Sequence, residues 1–166
     1  MKKKKIAKYI QEAETPIKPK VLYDKVTWGD MLTENEKTFL RNVLEDESHS
    51  KDEGLGIAIE AFALSHTATR ENITLVEKFL DEDFHNGIFA GTALKVLCYD
   101  YYWNLAKDYL SLLKGILLRQ ESDEELFSRA ALALGMYLSN NKDKEIFYFI
   151  YDLFVDSNRK VYHYNN

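Results

Sequence analysis

The sequence has little cysteine, proline or glycine, and it has no long apolar run. Its 166 residues include one Cys, two Pro and seven Gly. Cys98 has no second cysteine to pair with, so we expect a small buried side chain in a reducing compartment. No proline follows Pro19 to interrupt a helix. The lack of a membrane-length apolar segment predicts a soluble, cytoplasmic protein with no signal peptide and no membrane contact.

The composition is that of a compact helical protein. Apolar residues make up 46% of the chain and charged residues 30%. This balance, with so few Gly and Pro residues, excludes a disordered chain and a turn-rich β protein. The length allows one sizeable core. We therefore predict a single all-α domain over residues 1–166.

Charge is unevenly distributed along the sequence. The net charge is −5, yet five of the 22 Lys and Arg residues lie within the first eight positions. The other 17 Lys and Arg residues are outnumbered by 27 acidic residues, so residues 9–166 carry a net charge of −10. An acidic body repels nucleic acid and favours a basic protein partner. The lysine run itself is interpreted as a solvated terminus, although such a run can also contact nucleic acid or anionic lipid.

No recognisable catalytic, nucleotide-binding or metal-binding motif is present. The four histidines form no HExxH motif, and the glycines at Gly54 and Gly56 are not followed by a phosphate-loop lysine. Glu82 and His85 give one Glu-x-x-His, but a di-iron site needs two copies. We predict no catalytic residue, no cofactor and no metal. A metal-dependent helical carboxylate enzyme using Glu82, His85 and Glu60 is kept as an alternative.

The first 50 residues are predicted to hold the N-terminal helices and a connection. Apolar spacing indicates a short helix over 3–14, and the segment from Pro16 to Asp30 is expected to be an extended connection covering one end of the core. Thr33 and Glu36 have the spacing of a capping box, which predicts a helix over about 34–46.

Residues 54–156 are predicted to form three repeated helix pairs, followed by a tail over 157–166. In each pair a helix rich in small residues precedes a bulkier one. A second capping box, with Ser122 as the cap and Glu125 as its partner, is expected to open the third pair. The predicted pairs are 55–65 with 71–84, the two halves of 88–119 joined by an aromatic corner, and 126–138 with 142–156.

The units IAIEAFALSH…LVEKFLDED, GTALKVLCYDY…YLSLLKGILL and RAALALGMYL…IFYFIYDLF resemble HEAT-like repeats. They lack the usual proline of the first helix and the Asp and Arg pair of the turns, so they resemble divergent copies. The resemblance implies a right-handed stack of antiparallel helix pairs, a short α-solenoid. Small acidic bacterial proteins of this kind are similar to immunity proteins that neutralise a toxin domain.

If the second helix of each pair lines the inner face, as in HEAT-like stacks, its polar stripe faces a partner. These stripes carry carboxylates, and a tyrosine borders them. The result would be an acidic concave strip able to attract a basic protein. The aromatic corner supplies the kind of anchor that interfaces favour. The predicted partner-binding residues are Glu77, Asp81, Asp108, Ser111, Glu145, Tyr148 and Asp152 of the strip, and Tyr101, Tyr102 and Trp103 of the corner.

These observations favour a non-enzymatic protein-binding module that is monomeric on its own. More specifically, we expect an immunity protein that blocks the basic surface of a cognate toxin, and we expect that toxin to be a nuclease. There are two alternatives to this function: an adaptor or self-associating scaffold, and the metal-dependent enzyme described above. A nucleic-acid binder would need a basic concave face, which the sequence lacks. The alternative without any binding role is that these polar stripes are ordinary solvent-exposed helix faces.

Overall fold

A computed structural model describes residues 18–46, 53–81, 87–119 and 123–155. These ranges contain α-helices and no β-strand, which confirms the all-α prediction. Short 3₁₀ segments at Lys78–Leu80 and Ala106–Tyr109 adjoin two of the helices. The helix predicted over 3–14 lies outside the described residues. The eight α-helices of these ranges are α1 Pro19–Thr27, α2 Glu34–Glu45, α3 Glu53–Ser65, α4 Arg70–Glu77, α5 Ala90–Cys98, α6 Leu110–Leu118, α7 Glu124–Asn140 and α8 Lys144–Val155.

The chain divides into two compact units, and the boundary falls within α5. The first unit ends at Ala93 and the second begins at Leu94. The organisation of residues 1–166 as a single domain stays a prediction.

In the first unit, α3 is the central helix. Both α1 and α2 pack on it, and α2 also contacts α4. Small residues allow this close approach, because Ala58 and Ala61 are fully buried without filling the space that neighbouring helices need. Gly56 has a similar effect, since a Cβ there would lie 3.7 Å from the Phe89 ring. The predicted Ala-rich helix over 55–65 is confirmed, with Glu53–Ser65 as its observed bounds.

The prediction of an extended connection over 16–30 is wrong, because Pro19–Thr27 is helical. Proline is tolerated in the first turn of a helix, where its missing N–H would have no intrahelical partner. Among the described residues 18–30 of this segment only Leu22 is fully buried, and Trp28 is 86% exposed. The apolar residues expected to cover the core therefore do so in part only.

The predicted capping box at the start of α2 is confirmed. The Glu36 amide donates to the Thr33 hydroxyl over 3.3 Å, and the Thr33 amide donates to the Glu36 carboxylate over 2.7 Å. Lys25 of α1 also donates to that carboxylate over 2.9 Å, which links the two helices. These contacts hold the pKa of Glu36 below its usual value, although partial burial opposes them.

Two other predicted boundaries need correction. The helix expected over 71–84 ends earlier, because Asp81 has an extended backbone. The N-cap of α7 is Asp123 and not Ser122: its carboxylate accepts the amides of Glu125 and Leu126 over 2.8 and 3.2 Å. Aspartate and serine cap helices equally well, so the sequence pattern could not choose between neighbouring positions.

A buried polar network joins α2 to α4. Asn72 is only 5% exposed, and its amide donates to the Thr67 carbonyl over 2.9 Å. Its side-chain oxygen accepts from Arg41, which also pairs with Glu71 over 2.7 Å. A buried amide is tolerated because its hydrogen bonds are made.

In the second unit, α7 contacts several other helical elements. It packs against α6, against the 3₁₀ segment before α6, and against α8. Leu113, Ile116 and Leu117 of α6 are buried, as are Ala130, Ala133 and Leu134 of α7. In α8 only Ile146 is buried. The last helix thus leaves most of its surface uncovered by the rest of the described chain.

The capping box generates a stability prediction. Thr33→Ala removes the hydroxyl that accepts the Glu36 amide and should lower the free energy of unfolding by about 1 kcal/mol. Urea denaturation followed by circular dichroism measures this. Thr38→Ala, an exposed position inside α2, is the matched control and should be neutral or slightly stabilising, because alanine favours helix. Equal losses in both variants would contradict a capping role.

His66, just after the end of α3, is half-buried, and its environment predicts that the stability of the first unit depends on pH. Its ring stacks on Phe62 with centroids 4.0 Å apart, and Nδ1 lies 3.0 Å from the Phe62 carbonyl oxygen. Burial lowers the pKa of His66, and the nearby charges of Arg41 and Lys37 add to this; the Phe62 carbonyl and Glu34 oppose it.

Because the folded pKa is below the unfolded one, the unfolded chain binds more protons between the two values. The contribution of His66 should be complete above about pH 6.5 and lost as pH falls through the folded pKa. Urea midpoints between pH 8 and pH 5 should fall more steeply for the parent than for His66→Gln. This window avoids the carboxylates Glu34 and Glu36, which titrate lower. Parallel curves for the two proteins would refute the assignment.

Candidate functional site

Helix α8 presents an exposed row of apolar and aromatic side chains. We call this row the α8 outer face. It consists of residues at steps of three and four along the helix, and about half or more of each side chain is accessible. Within it, Phe147 stacks on Tyr151 with centroids 6.3 Å apart. The residues of the α8 outer face are Phe147, Tyr148, Tyr151, Phe154 and Val155.

Carboxylates accompany this face. Asp152 is exposed, and Glu145 is 80% exposed although it pairs with Lys114 of α6 over 2.8 Å. Asp143 caps the helix, accepting the Ile146 amide over 3.1 Å and the Tyr137 hydroxyl over 3.0 Å. The Ile146 amide is the main cause that lowers the pKa of Asp143, so this carboxylate stays charged. The combination of exposed aromatic rings and carboxylates suits a partner that is apolar and basic.

The aromatic corner between α5 and α6 has a fixed backbone. The Trp103 amide donates to the Val96 carbonyl over 3.3 Å, and the Leu105 amide donates to the Leu97 carbonyl over 2.8 Å. Asn104 adopts φ 53°, a left-handed conformation that asparagine tolerates. Tyr101 is 55% exposed and packs on Tyr102 with centroids 4.8 Å apart. The corner is therefore a rigid turn that presents at least one accessible aromatic ring.

Next to this corner a groove opens along the start of α7. It has a volume of about 580 Å³. Tyr99 lines it and also contacts Tyr101 edge-on, with centroids 5.7 Å apart. We call it the α7 groove. Its lining residues are Tyr99, Asp123, Glu124, Glu125, Ser128, Arg129 and Leu132.

The Tyr99 side chain is 1% exposed, and no described residue forms a hydrogen bond of normal length and angle with its hydroxyl. Burial raises the pKa of the Tyr99 phenol, and the nearby Arg129 guanidinium opposes this only in part. A buried tyrosine hydroxyl normally has a partner. Tyr99 is therefore a neutral polar group at the wall of the groove, and its buried hydroxyl lies beside the Arg129 guanidinium.

The predicted partner-binding residues are mostly at the surface. Glu77 and Asp81 lie in the first unit, and the other eight lie in the second. Glu77 is half-buried and lies 3.8 Å from Arg70, so its charge is partly compensated, as is that of Glu145. The exposed ones are Asp81, Tyr101, Asp108, Ser111, Glu145, Tyr148 and Asp152, whereas Glu77, Tyr102 and Trp103 are half-buried.

Several residues of these surfaces were not singled out from the sequence. Phe147 and Phe154 were not assigned to a binding surface, and the structure shows them exposed. The three consecutive acidic residues at the start of α7 were interpreted as helix-capping groups only. Tyr99 belongs to the same YDYYW segment as the predicted corner, and that segment was the signal that could have identified it.

The part of the chain that the structure describes contains no group of three or more His, Cys, Asp or Glu side chains placed to hold a metal ion. Glu82 and His85 of the alternative metal site lie outside it, while Glu60 is partly exposed on α3. Cys98 is buried, and burial raises its pKa to about 12, so its thiol is protonated at neutral pH.

Comparison with known protein families, characterised proteins and solved structures finds no match. Among the helices in the described ranges, none is long and apolar enough to cross a membrane.

Proposed function

We propose that this chain is a non-enzymatic protein-binding module, and specifically an immunity protein that neutralises a cognate nuclease toxin in the cytoplasm. The single observation that carries the proposal is the α8 outer face, where five large apolar side chains are exposed beside carboxylates. Soluble proteins rarely expose apolar patches of this kind unless they bind a partner. Tyrosine and phenylalanine are also the residues that interface cores favour.

The partner's charge follows from the acidic body. Residues beyond the lysine run carry a net −10, and exposed Asp108 and Asp152 contribute to the surface of the second unit. A nuclease is electropositive where it holds its substrate, so an acidic protein can occupy that surface in place of phosphate. Attraction between the two proteins would speed association, and burial of the α8 outer face would slow dissociation.

The proposal includes the architecture that the repeats imply. We infer that the helix pairs α3 with α4, α5 with α6, and α7 with α8 form a divergent HEAT-like, right-handed stack. The order of a small-residue helix before a bulkier one supports this, as does the contact of α7 with both α6 and α8. An adaptor of the same architecture would use the same surfaces, so only the partner's identity and activity separate the two functions.

The aromatic side chains should dominate the affinity for the partner. The purified chain, used as bait against its source lysate at low salt, is expected to capture a basic protein whose nuclease activity it blocks at equal molar ratio. Replacing Tyr148 and Tyr151 together with Ala should raise the dissociation constant about 30-fold or more, because truncated interface anchors typically cost at least about 2 kcal/mol. Surface plasmon resonance provides the measurement.

Trp28→Ala removes an equally exposed aromatic ring from the first unit and is the control, with unchanged affinity expected. If the captured partner is not a nuclease, the result would favour the adaptor function over the immunity function. Concentration-dependent dimerisation of the chain, abolished by the double variant, would assign the α8 outer face to a second copy. Stoichiometric metal in the purified chain would favour the enzyme alternative.

The carboxylates should act on the association rate. Reversing Asp108 and Asp152 to Lys is expected to slow association with the basic partner about ten-fold at low salt, with a smaller effect on dissociation. The difference should shrink at physiological ionic strength, where the Debye length is about 8 Å. Asp30→Lys, a reversal at an exposed position of the first unit, tests whether net charge alone is responsible. Unchanged kinetics in the double variant would rule out steering by these carboxylates.

A further inference from the structure

We propose that the turn between α1 and α2 docks on an anionic membrane surface, with Trp28 and Met31 inserted at the level of the lipid head groups. The turn consists of Trp28, Gly29, Asp30 and Met31, and we call it the tryptophan turn. The proposal does not rest on the immunity function, because it concerns a different surface and a different target. It departs from the expectation of no membrane contact, which was drawn from the lack of a membrane-length apolar segment. A surface contact needs no such segment.

The tryptophan turn exposes two large apolar side chains almost completely. Trp28 and Met31 are each 86% exposed, and no other described large apolar side chain is more exposed. Val21 lies two helical turns before Trp28 on the same side of α1 and is 60% exposed. A Cβ placed on Gly29 would meet nothing within 4 Å, so no other described residue covers the turn there. Water therefore surrounds an apolar group that a membrane interface would cover.

Hydrogen bonds fix the backbone of the tryptophan turn. The Gly29 amide donates to the Val26 carbonyl over 3.1 Å. The Asp30 amide donates to the Lys25 carbonyl over 3.0 Å. With Gly29 at φ 88°, this is the Schellman pattern that ends many helices. Leu32 is buried and anchors the chain directly after the turn. Because an ordered backbone presents the two exposed side chains, docking costs little backbone entropy.

The charge of this part of the chain fits an anionic surface. Residues 1–31 hold eight lysines and four acidic residues, a net charge of +4, whereas residues 32–166 carry −9. Lys18 and Lys20 are the exposed lysines of the described part of this stretch. Lys20 pairs with Asp24, while Asp30 is exposed and opposes binding to an anionic surface. Each lysine near an anionic membrane contributes about five-fold in affinity, so the excess of lysine favours docking of the turn.

A membrane suits this surface better than a folded partner or a nucleic acid. Covering Trp28 completely would bury roughly 150–250 Å², whereas a specific protein interface needs about 1,000 Å². A lipid surface needs no complementary pocket, and tryptophan is enriched at its head-group level. The aliphatic Val21 and Met31 would gain nothing from base stacking, on which single-stranded nucleic-acid sites depend. The basic partner proposed above would be repelled by the lysine run, which therefore requires a different, anionic target.

Vesicle binding tests the proposal with the full chain. In a Trp103→Phe variant Trp28 is the sole tryptophan, so its emission reports insertion directly. With vesicles of phosphatidylcholine and about one-third phosphatidylserine, we expect co-sedimentation at low salt and a blue-shifted emission. Pure phosphatidylcholine should lower the affinity about ten-fold or more, and physiological salt should also weaken binding. No co-sedimentation, equal binding to both kinds of vesicle, or binding without an emission shift would overturn the proposal.

Variants test the tryptophan turn itself. Trp28→Ala and Met31→Ala should each lower the affinity for the anionic vesicles about ten-fold, because each removes an inserted apolar side chain. Both side chains are exposed, so circular dichroism should show unchanged melting temperatures. Leu118→Ala removes an exposed apolar side chain from α6 and is the control, with parental affinity expected. Asp30→Asn should raise the affinity about five-fold, because it removes an opposing charge.

Replacing Lys2, Lys3, Lys4 and Lys5 with Gln should also lower the affinity. If that change abolishes binding while Trp28→Ala has no effect, the lysine run binds alone and docking by the turn is refuted. A single-stranded oligonucleotide that displaces the chain from anionic vesicles at equal phosphate concentration would identify a nucleic-acid surface instead. These measurements use no toxin partner. Capture of a basic nuclease without vesicle binding would refute this inference and leave the proposed function standing, and vesicle binding without a partner would do the reverse.

Discussion

Helix α8 has more apolar surface than the rest of the described chain covers, and this excess controls the behaviour of the second unit. Ile146 is buried and its neighbours on the same side are half-buried, but the α8 outer face remains in water. Full burial of one large apolar side chain is worth roughly 1.5–3 kcal/mol. Because each side chain of the α8 outer face is about half exposed, covering this face would contribute about half of that value per side chain.

The charges and the aromatic rings contribute at different stages of binding. Exposed carboxylates such as Asp152 are screened within about 8 Å at physiological salt and act mainly before contact. Aromatic rings contribute only when water leaves the interface, so they determine how long the complex lasts. The second unit places both kinds of side chain on α8.

The sequence predicted the helical content well because local signals specified it. The capping box of Thr33 and Glu36 fixed the start of α2, and the Ala-rich stretch over 55–65 identified α3 as a helix. The helix beginning at Pro19 was missed because proline was interpreted as a breaker, although it is compatible with a first turn. At α7, Asp123 caps in place of Ser122, since adjacent residues of equal capping strength cannot be ranked by pattern.

The candidate surfaces were predictable only in part, because exposure of the apolar side chains on an apolar-rich helix depends on which side its neighbours occupy. Tyr148 was identified through its polar stripe, whereas Phe147 and Phe154 could be placed only once α7 was seen to contact one side of α8. Tyr99 is harder still. Its ring packs as a core residue, and only the three-dimensional structure shows that it also lines the α7 groove beside Arg129.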